Sequence, residues 1–171
     1  MPSAMLSPHP DTPCAALRSI EVAVEHASPQ LLAVTFVLAG DIDALRIPAP
    51  REPRIVDGLW RHTCCEIFIA GAAGYREYNF SPSGEWAAYE FRAYREGAPV
   101  RVTAPRIAVQ RSAERLELAA QVEAGGNRIG IAAVIEASDG SLSYWALRHA
   151  PGKPDFHHPS AFALELDAIR H

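Results

Sequence analysis

The feature that most constrains this chain is its rhythm: short runs of β-branched and aromatic residues, broken every eight to twelve or so positions by turn signals. Ile20 to Glu25 alternates, with Ile20, Val22 and Val24 on one side and Glu21 and Glu25 on the other. Leu31 to Ala39 is almost continuously apolar and suits a strand buried on both faces. Cys64 to Ala70, Arg76 to Phe80 and Glu85 to Tyr94 follow, the last two joined by Ser81-Pro82-Ser83-Gly84, a tight-turn sequence. These three read as a meander. Further strands are expected at 106–111, 115–122, 127–137, 143–148 and 162–166. Residues 129–136 favour strand over helix because of Gly130, Val134 and their isoleucines. Ile47 to Pro53 holds three prolines and must be loop. Roughly nine or ten strands without a long amphipathic helix predict an all-β fold, an antiparallel two-sheet β-sandwich of jelly-roll type.

Length and composition fit one domain. A chain of 171 residues buries roughly 70% of its unfolded surface and needs no staples. Residues 1–16 carry four prolines and no periodic pattern, so they read as a flexible tail, with residues 17–171 as the β-sandwich. Net charge is -4 with a pI near 6.0, which gives no electrostatic reason to expect nucleic acid or a membrane surface as partner. The N-terminus lacks the basic and apolar regions of a secretory signal, and no run reaches the apolar length of a membrane span. Three cysteines, Cys14, Cys64 and Cys65, make a poor disulfide framework. Adjacent Cys64 and Cys65 point to opposite faces of a strand. Free thiols and the absence of a leader predict a cytoplasmic address.

Three segments hold residues capable of chemistry. In Leu59-Trp60-Arg61-His62-Thr63-Cys64-Cys65-Glu66, a loop tryptophan runs into a strand bearing a carboxylate. The bland reading is a Trp capping one end of the fold and a Glu facing water. In Tyr75-Arg76-Glu77-Tyr78-Asn79-Phe80, alternation sets Glu77 and Asn79 against Tyr78 and Phe80. The apolar side is packing. The polar side is either solvated or bonded to ligand hydroxyls. The third segment joins Tyr144-Trp145 to the loop Lys153-Pro154-Asp155-Phe156-His157-His158, which is either packed on itself or a binding loop held on a rigid scaffold. Aromatics on opposed loops with an acid and an amide between them suit a sugar. Pyranose C–H faces stack on aromatic planes, and the hydroxyl edge needs polar partners because unpaired buried polar groups are costly.

The stretches LWRHTCCEIFI, YREYNFSPSGEW and PDFHHPSAFALEL resemble the DOMON-like and family 9 carbohydrate-binding-module superfamily, in particular its bacterial DOMON-like group. The resemblance covers about residues 18 to 166. It implies a jelly-roll sandwich whose ligand sits between two aromatic side chains, matching Trp60 and Phe156. The second position is tryptophan in the sugar-binding members. It further implies ligand contacts from Glu66, from Asn79 where those modules can carry Arg, and near Lys153 where they carry an amide. With His62, Glu77, Trp145 and Asp155 from the three segments, these form the candidate ligand-binding set. No catalytic residue, cofactor or metal ligand is assigned.

Other functions are weighed beside this one. A haem module, as in the other branch of that superfamily, would draw on a histidine pair from His62, His149, His157 and His158, since Met1 and Met5 fall in the tail. A glycoside-processing enzyme would use Glu66 and Glu77, with carboxyls about 5–5.5 Å or 6.5–9.5 Å apart. A protein-interaction domain would use a sheet face. No zinc spacing, calcium loop, nucleophile elbow, phosphate loop or dinucleotide fingerprint is present. The expected partner is a small-molecule ligand, a sugar or sugar derivative.

Overall fold

A computed structural model describes residues 3–166. The tail residues Met1 and Pro2, and the end of the expected domain at 167–171, lie outside the described residues.

Twelve strands form one antiparallel ladder. In chain order they are β1 (Ser3–Pro8), β2 (Leu17–Ser28), β3 (Leu31–Gly40), β4 (Cys64–Gly71), β5 (Gly74–Phe80) and β6 (Trp86–Ala93). Then come β7 (Glu96–Pro99), β8 (Arg106–Arg111), β9 (Arg115–Glu123), β10 (Arg128–Glu136), β11 (Leu142–Ala146) and β12 (Leu164–Glu165). The spatial order is β7-β6-β5-β4-β10-β11-β1-β2-β3-β9-β8, with β12 beside β10. Three short 3-10 turns, at Ile42–Ala44, Leu59–Arg61 and Pro159–Ala161, are the only helical pieces among the described residues.

The expected tail needs correction. Ser3–Pro8 is a strand, and it joins the two halves of the ladder. Its residues 3–6 pair with β2, and Ser7 and Pro8 pair with β11. Leu6 is buried in the main core while Met5 faces outward, a strand alternation too short to register against four prolines. Pro8 is tolerated because pairing with β2 ends at Leu6, which leaves one side of the strand free there. β7 also escapes the sequence pattern: its four residues are all exposed and carry no apolar alternation.

One hydrophobic cluster draws on both halves of the ladder. Val22, Phe36 and Leu118 come from β2, β3 and β9, and Ile67, Tyr78 and Ile131 from β4, β5 and β10. β3 shows strict alternation of buried and half-buried residues, and β4 and β10 are buried almost throughout. Strands buried on both faces need cover on both, so the second face of β4 and β10 must also lie under something. That second face carries the candidate site.

The Ser81–Gly84 turn forms as its residues dictate. The Gly84 N–H donates to the Ser81 carbonyl at 3.0 Å, and Gly84 takes a left-handed φ of 93°. Cys64 and Cys65 do diverge: Cys65 enters the main core, while Cys64 packs with Leu59 and Ala87 on the other face. No described helix is long and apolar enough to cross a membrane.

Candidate functional site

The register of the central strands defines the site. β4 pairs with β5 so that Glu66 opposes Asn79 and Phe68 opposes Glu77. β5 pairs with β6 so that Glu77 opposes Tyr89 and Tyr75 opposes Phe91. Because successive side chains alternate, Glu66, Phe68, Glu77, Asn79 and Tyr89 share one face, while Ile67, Tyr78 and Phe80 fill the core behind it. Glu66 and Glu77 are diagonal neighbours on adjacent strands.

Three segments cover this face. The turn at Leu59–Arg61 places Trp60 at its edge, entered through Gly58 in the left-handed region at φ 84°. The loop after β11 brings Pro154, Phe156 and His157 over it, and the β6–β7 connection brings Arg95. The result is a cavity of about 350 Å³. Its aromatic walls include Trp60, Phe68, Tyr89, Phe91, Tyr144 and Phe156. Trp60 meets Tyr89 edge-on at 6.1 Å between ring centres, and Phe156 tilts against Tyr144 at 6.1 Å. Trp60 remains 39% exposed.

The cavity floor is acidic and incompletely bonded. Glu66 is 3% exposed and Glu77 5%, and Asn79 is fully buried. Oε2 of Glu66 and both amide atoms of Asn79 complete no hydrogen bond within the protein. Unpaired polar atoms at such depth are uncommon in folded proteins and cost roughly 1–3 kcal/mol each. Burial, then the neighbouring Glu77 charge, raises the Glu66 carboxyl well above the usual carboxylate range. Burial pushes Glu77 up to about 7, against the opposing effects of Glu66 and Asn79 beside it. Two carboxyls in this contact favour one shared proton over two charges.

His157 lies against this pair. Its Nε2 is 3.4 Å from Glu77 Oε1, and its Nδ1 is 2.8 Å from the Tyr75 hydroxyl. Burial, helped by the Arg95 cation, pulls His157 down to about 4, so the ring is neutral at pH 7. Arg95 pairs with Asp155 at 2.9 Å, its backbone N–H donates to the Tyr75 hydroxyl at 3.1 Å, and Tyr94 also donates to Asp155. Arg95 is the one non-glycine residue with positive φ (54°) among those described. Such a conformation in a residue with a Cβ stores strain that its surroundings must hold.

The cavity thus gathers four of the nine residues named from sequence: Trp60, Glu66, Glu77 and Phe156. Asn79 is beside them on the sheet, below the lining surface. Asp155 stands behind the wall, holding Arg95 and accepting from the His157 N–H at 3.1 Å. Three residues are placed elsewhere. Trp145 is 3% exposed in the main core, its indole N–H donating to Ser143 at 2.9 Å. It alternates with Tyr144, and Tyr144 is the one that reaches the cavity. His62 is exposed and engages Glu136 at 3.0 Å, and Lys153 is exposed outside the lining. The sequence did not single out Tyr89, Phe91 or Arg95, and in the Tyr144-Trp145 pair it put the wrong member in the ligand-binding set. Alternation in Trp86-Ala87-Ala88-Tyr89-Glu90-Phe91 marks a face, but only register with Glu77 shows which face it is.

The four histidines considered for haem have separate partners: Glu136 for His62, the Ser7 carbonyl for His149, Tyr75 for His157 and Ser160 for His158. A wider, more open depression of about 910 Å³ lies around Arg76, Glu90, Arg92 and Val100, with mixed charge and none of the floor residues.

No family model and no curated protein matches the sequence. In fold the chain is similar to a candidate carbohydrate-binding protein from Bacteroides uniformis. The TM-score is 0.66 at 11% identity, covering 94% of this chain and 84% of that one. At such identity the likeness establishes a common fold and nothing finer.

Proposed function

We propose that this is a non-catalytic small-ligand-binding domain that takes a sugar or sugar derivative between Trp60 and Phe156, on a ladder closed into a two-sheet jelly roll. The observation that carries the reading is that one cavity has both rings on its walls and both buried carboxyls beneath them. Aromatic walls suit the C–H faces of a pyranose. The Glu66 and Glu77 carboxyls on the floor offer partners for its hydroxyls, with the unbonded Asn79 amide just beneath them. The resemblance to the family 9 and DOMON-like modules, and the carbohydrate-binding description of the Bacteroides uniformis protein, point the same way.

A glycoside-processing role fits the carboxyls less well. Glu66 and Glu77 are in direct contact, whereas hydrolysis needs about 5 Å or more between carboxyls that flank the bond. A haem role fits the histidines less well, since each of the four is committed to a different protein group.

The test is titration with a panel of mono- and disaccharides, read by tryptophan fluorescence and thermal shift. Trp86 and Trp145 are 5% and 3% exposed, so a ligand-dependent change in emission reports on Trp60. Trp60→Ala is expected to abolish both signals while the protein stays folded. Unchanged binding by that variant refutes the proposal.

A further inference from the structure

The charges around the cavity floor are unequal. β4 contributes Cys64 and Glu66, β5 Tyr75, Glu77 and the neutral Asn79, β6 Tyr89, and β11 Tyr144. The covering loops add Arg95, Asp155 and His157. Of these, Arg95 is the sole fixed cation, and Asp155 already matches it at 2.9 Å. Tyr89 donates to Asp57 at 2.5 Å, and His157 is neutral at pH 7. Arg95 therefore acts on Glu77 only weakly and from beyond ion-pair distance, no Lys or Arg among the described residues pairs with Glu66 or Glu77, and Oε2 of Glu66 completes no hydrogen bond. Ionising a buried carboxylate without a partner is strongly unfavourable.

The walls are suited to the missing partner. Trp60, Phe68, Tyr89, Phe91, Tyr144 and Phe156 surround the space above the carboxyls. Aromatic faces attract a cation through their quadrupole, most strongly where water is excluded. A ring of aromatics over buried acids recognises an ammonium group better than it recognises a hydroxyl.

We infer that the ligand of this cavity carries an ammonium group, which docks between Glu66 and Glu77 under the aromatic walls; the inference rests on the ligand-binding reading above and names its chemical class. For a sugar, this means an amino sugar with a free amine. The ammonium N–H groups donate to the Glu66 and Glu77 carboxyls. The proton the carboxyl pair held leaves to solvent, so charge in the cavity balances before and after binding.

The experiment compares glucosamine, glucose and N-acetylglucosamine by isothermal titration calorimetry on the full chain. Buffers of different ionisation enthalpy are used from about pH 5.5 to about pH 7, below the range where a sugar amine loses its own proton. Glucosamine is expected to bind at least about tenfold more tightly than either neutral sugar, the worth of one cation–π or charge-assisted contact. Its binding should release up to one proton and strengthen as pH rises through this window. Glu66→Gln and Glu77→Gln replace a carboxyl by a neutral amide of the same shape. Each should reduce the glucosamine preference and the proton release while keeping the native fold by circular dichroism. Glucose or N-acetylglucosamine bound as tightly as glucosamine, in a Trp60-dependent manner, overturns the ammonium inference and leaves sugar binding standing. Binding of glucosamine without proton release, and unaltered in both Gln variants, also overturns it. Absence of binding by all three sugars counts against both readings.

Discussion

His157 and Glu77 stand 3.4 Å apart without forming an ion pair at moderately acid pH, because burial drives their titrations past each other. With His157 lowered to about 4 and Glu77 raised to about 7, the interval between holds a neutral imidazole beside a protonated carboxyl. The contact is then one between two neutral groups.

This pairing fixes the pH dependence of stability. Glu77 binds its proton more tightly folded than unfolded, so its contribution declines as pH rises from about 4.5 to about 7. His157 binds its proton less tightly folded than unfolded, so its contribution grows as pH rises from about 4 to about 6.5. These two shifts are of similar size and opposite sign, each about 3 kcal/mol, so they nearly offset each other and leave the decline contributed by the raised Glu66 carboxyl. Relative to the wild type, Glu77→Gln should therefore tilt the slope of stability against pH upward from about pH 4 to about pH 6.5, whereas His157→Gln should tilt it downward over the same range. Urea denaturation at stepped pH reads both slopes. Parallel slopes in the two variants contradict the assignment.

The two tryptophans singled out from sequence should separate cleanly on mutation. Trp145→Ala opens a hole in the core and is expected to cost about 3–5 kcal/mol, with ligand affinity retained in whatever fraction folds. Trp60→Ala removes one edge-on contact with Tyr89 and a partly exposed ring, so its cost to stability should be about 1 kcal/mol. Chemical denaturation of both proteins, with ligand titration alongside, checks the contrast.

Asp155 holds the covering loop without lining the cavity. It accepts hydrogen bonds from Tyr94, from Arg95 and from the His157 backbone. Asp155→Ala frees Arg95 from its partner and loosens the segment carrying Phe156 and His157. Affinity should fall about tenfold, whereas stability should fall by about 1 kcal/mol, as for a half-exposed surface ion pair. A loss of stability as large as the loss of affinity shows that the loop belongs to the folding core instead.

Thiol reactivity should report the burial of β4. Cys64 and Cys65 are buried, and burial raises both thiols well above the ordinary thiol range. Cys14 is half-buried. Ellman's reagent should modify one thiol per chain in the native protein and three in guanidinium. Rapid native modification of two or more signals that the Leu59–Arg61 turn opens readily.

Much of the frame was legible because it is written in local alternation. The division of Tyr75 to Phe80 into a core side and a polar side follows from period two alone, and the run from Leu31 to Ala39 announces a central strand. What alternation does not convey is which face is covered and by what. Glu77 and Asn79 read as solvated or ligand-facing with equal ease until Phe156 and His157, some eighty residues later in the chain, come down over them. The same limit explains Trp145. Tyr144 and Trp145 point to opposite faces, and pairing of β10 with β11 decides which one meets the core. Arg95 left no signal, because a left-handed arginine in a hairpin connection looks in sequence like any exposed charge.

The N-terminal strand has a practical consequence for anyone handling this protein. Since Ser3–Pro8 is stitched to β2 along its first half and to β11 at its end, trimming those few residues bares two strand rims in one stroke. Such rims recruit strands from neighbouring molecules. A preparation clipped near its beginning should clump rather than merely soften.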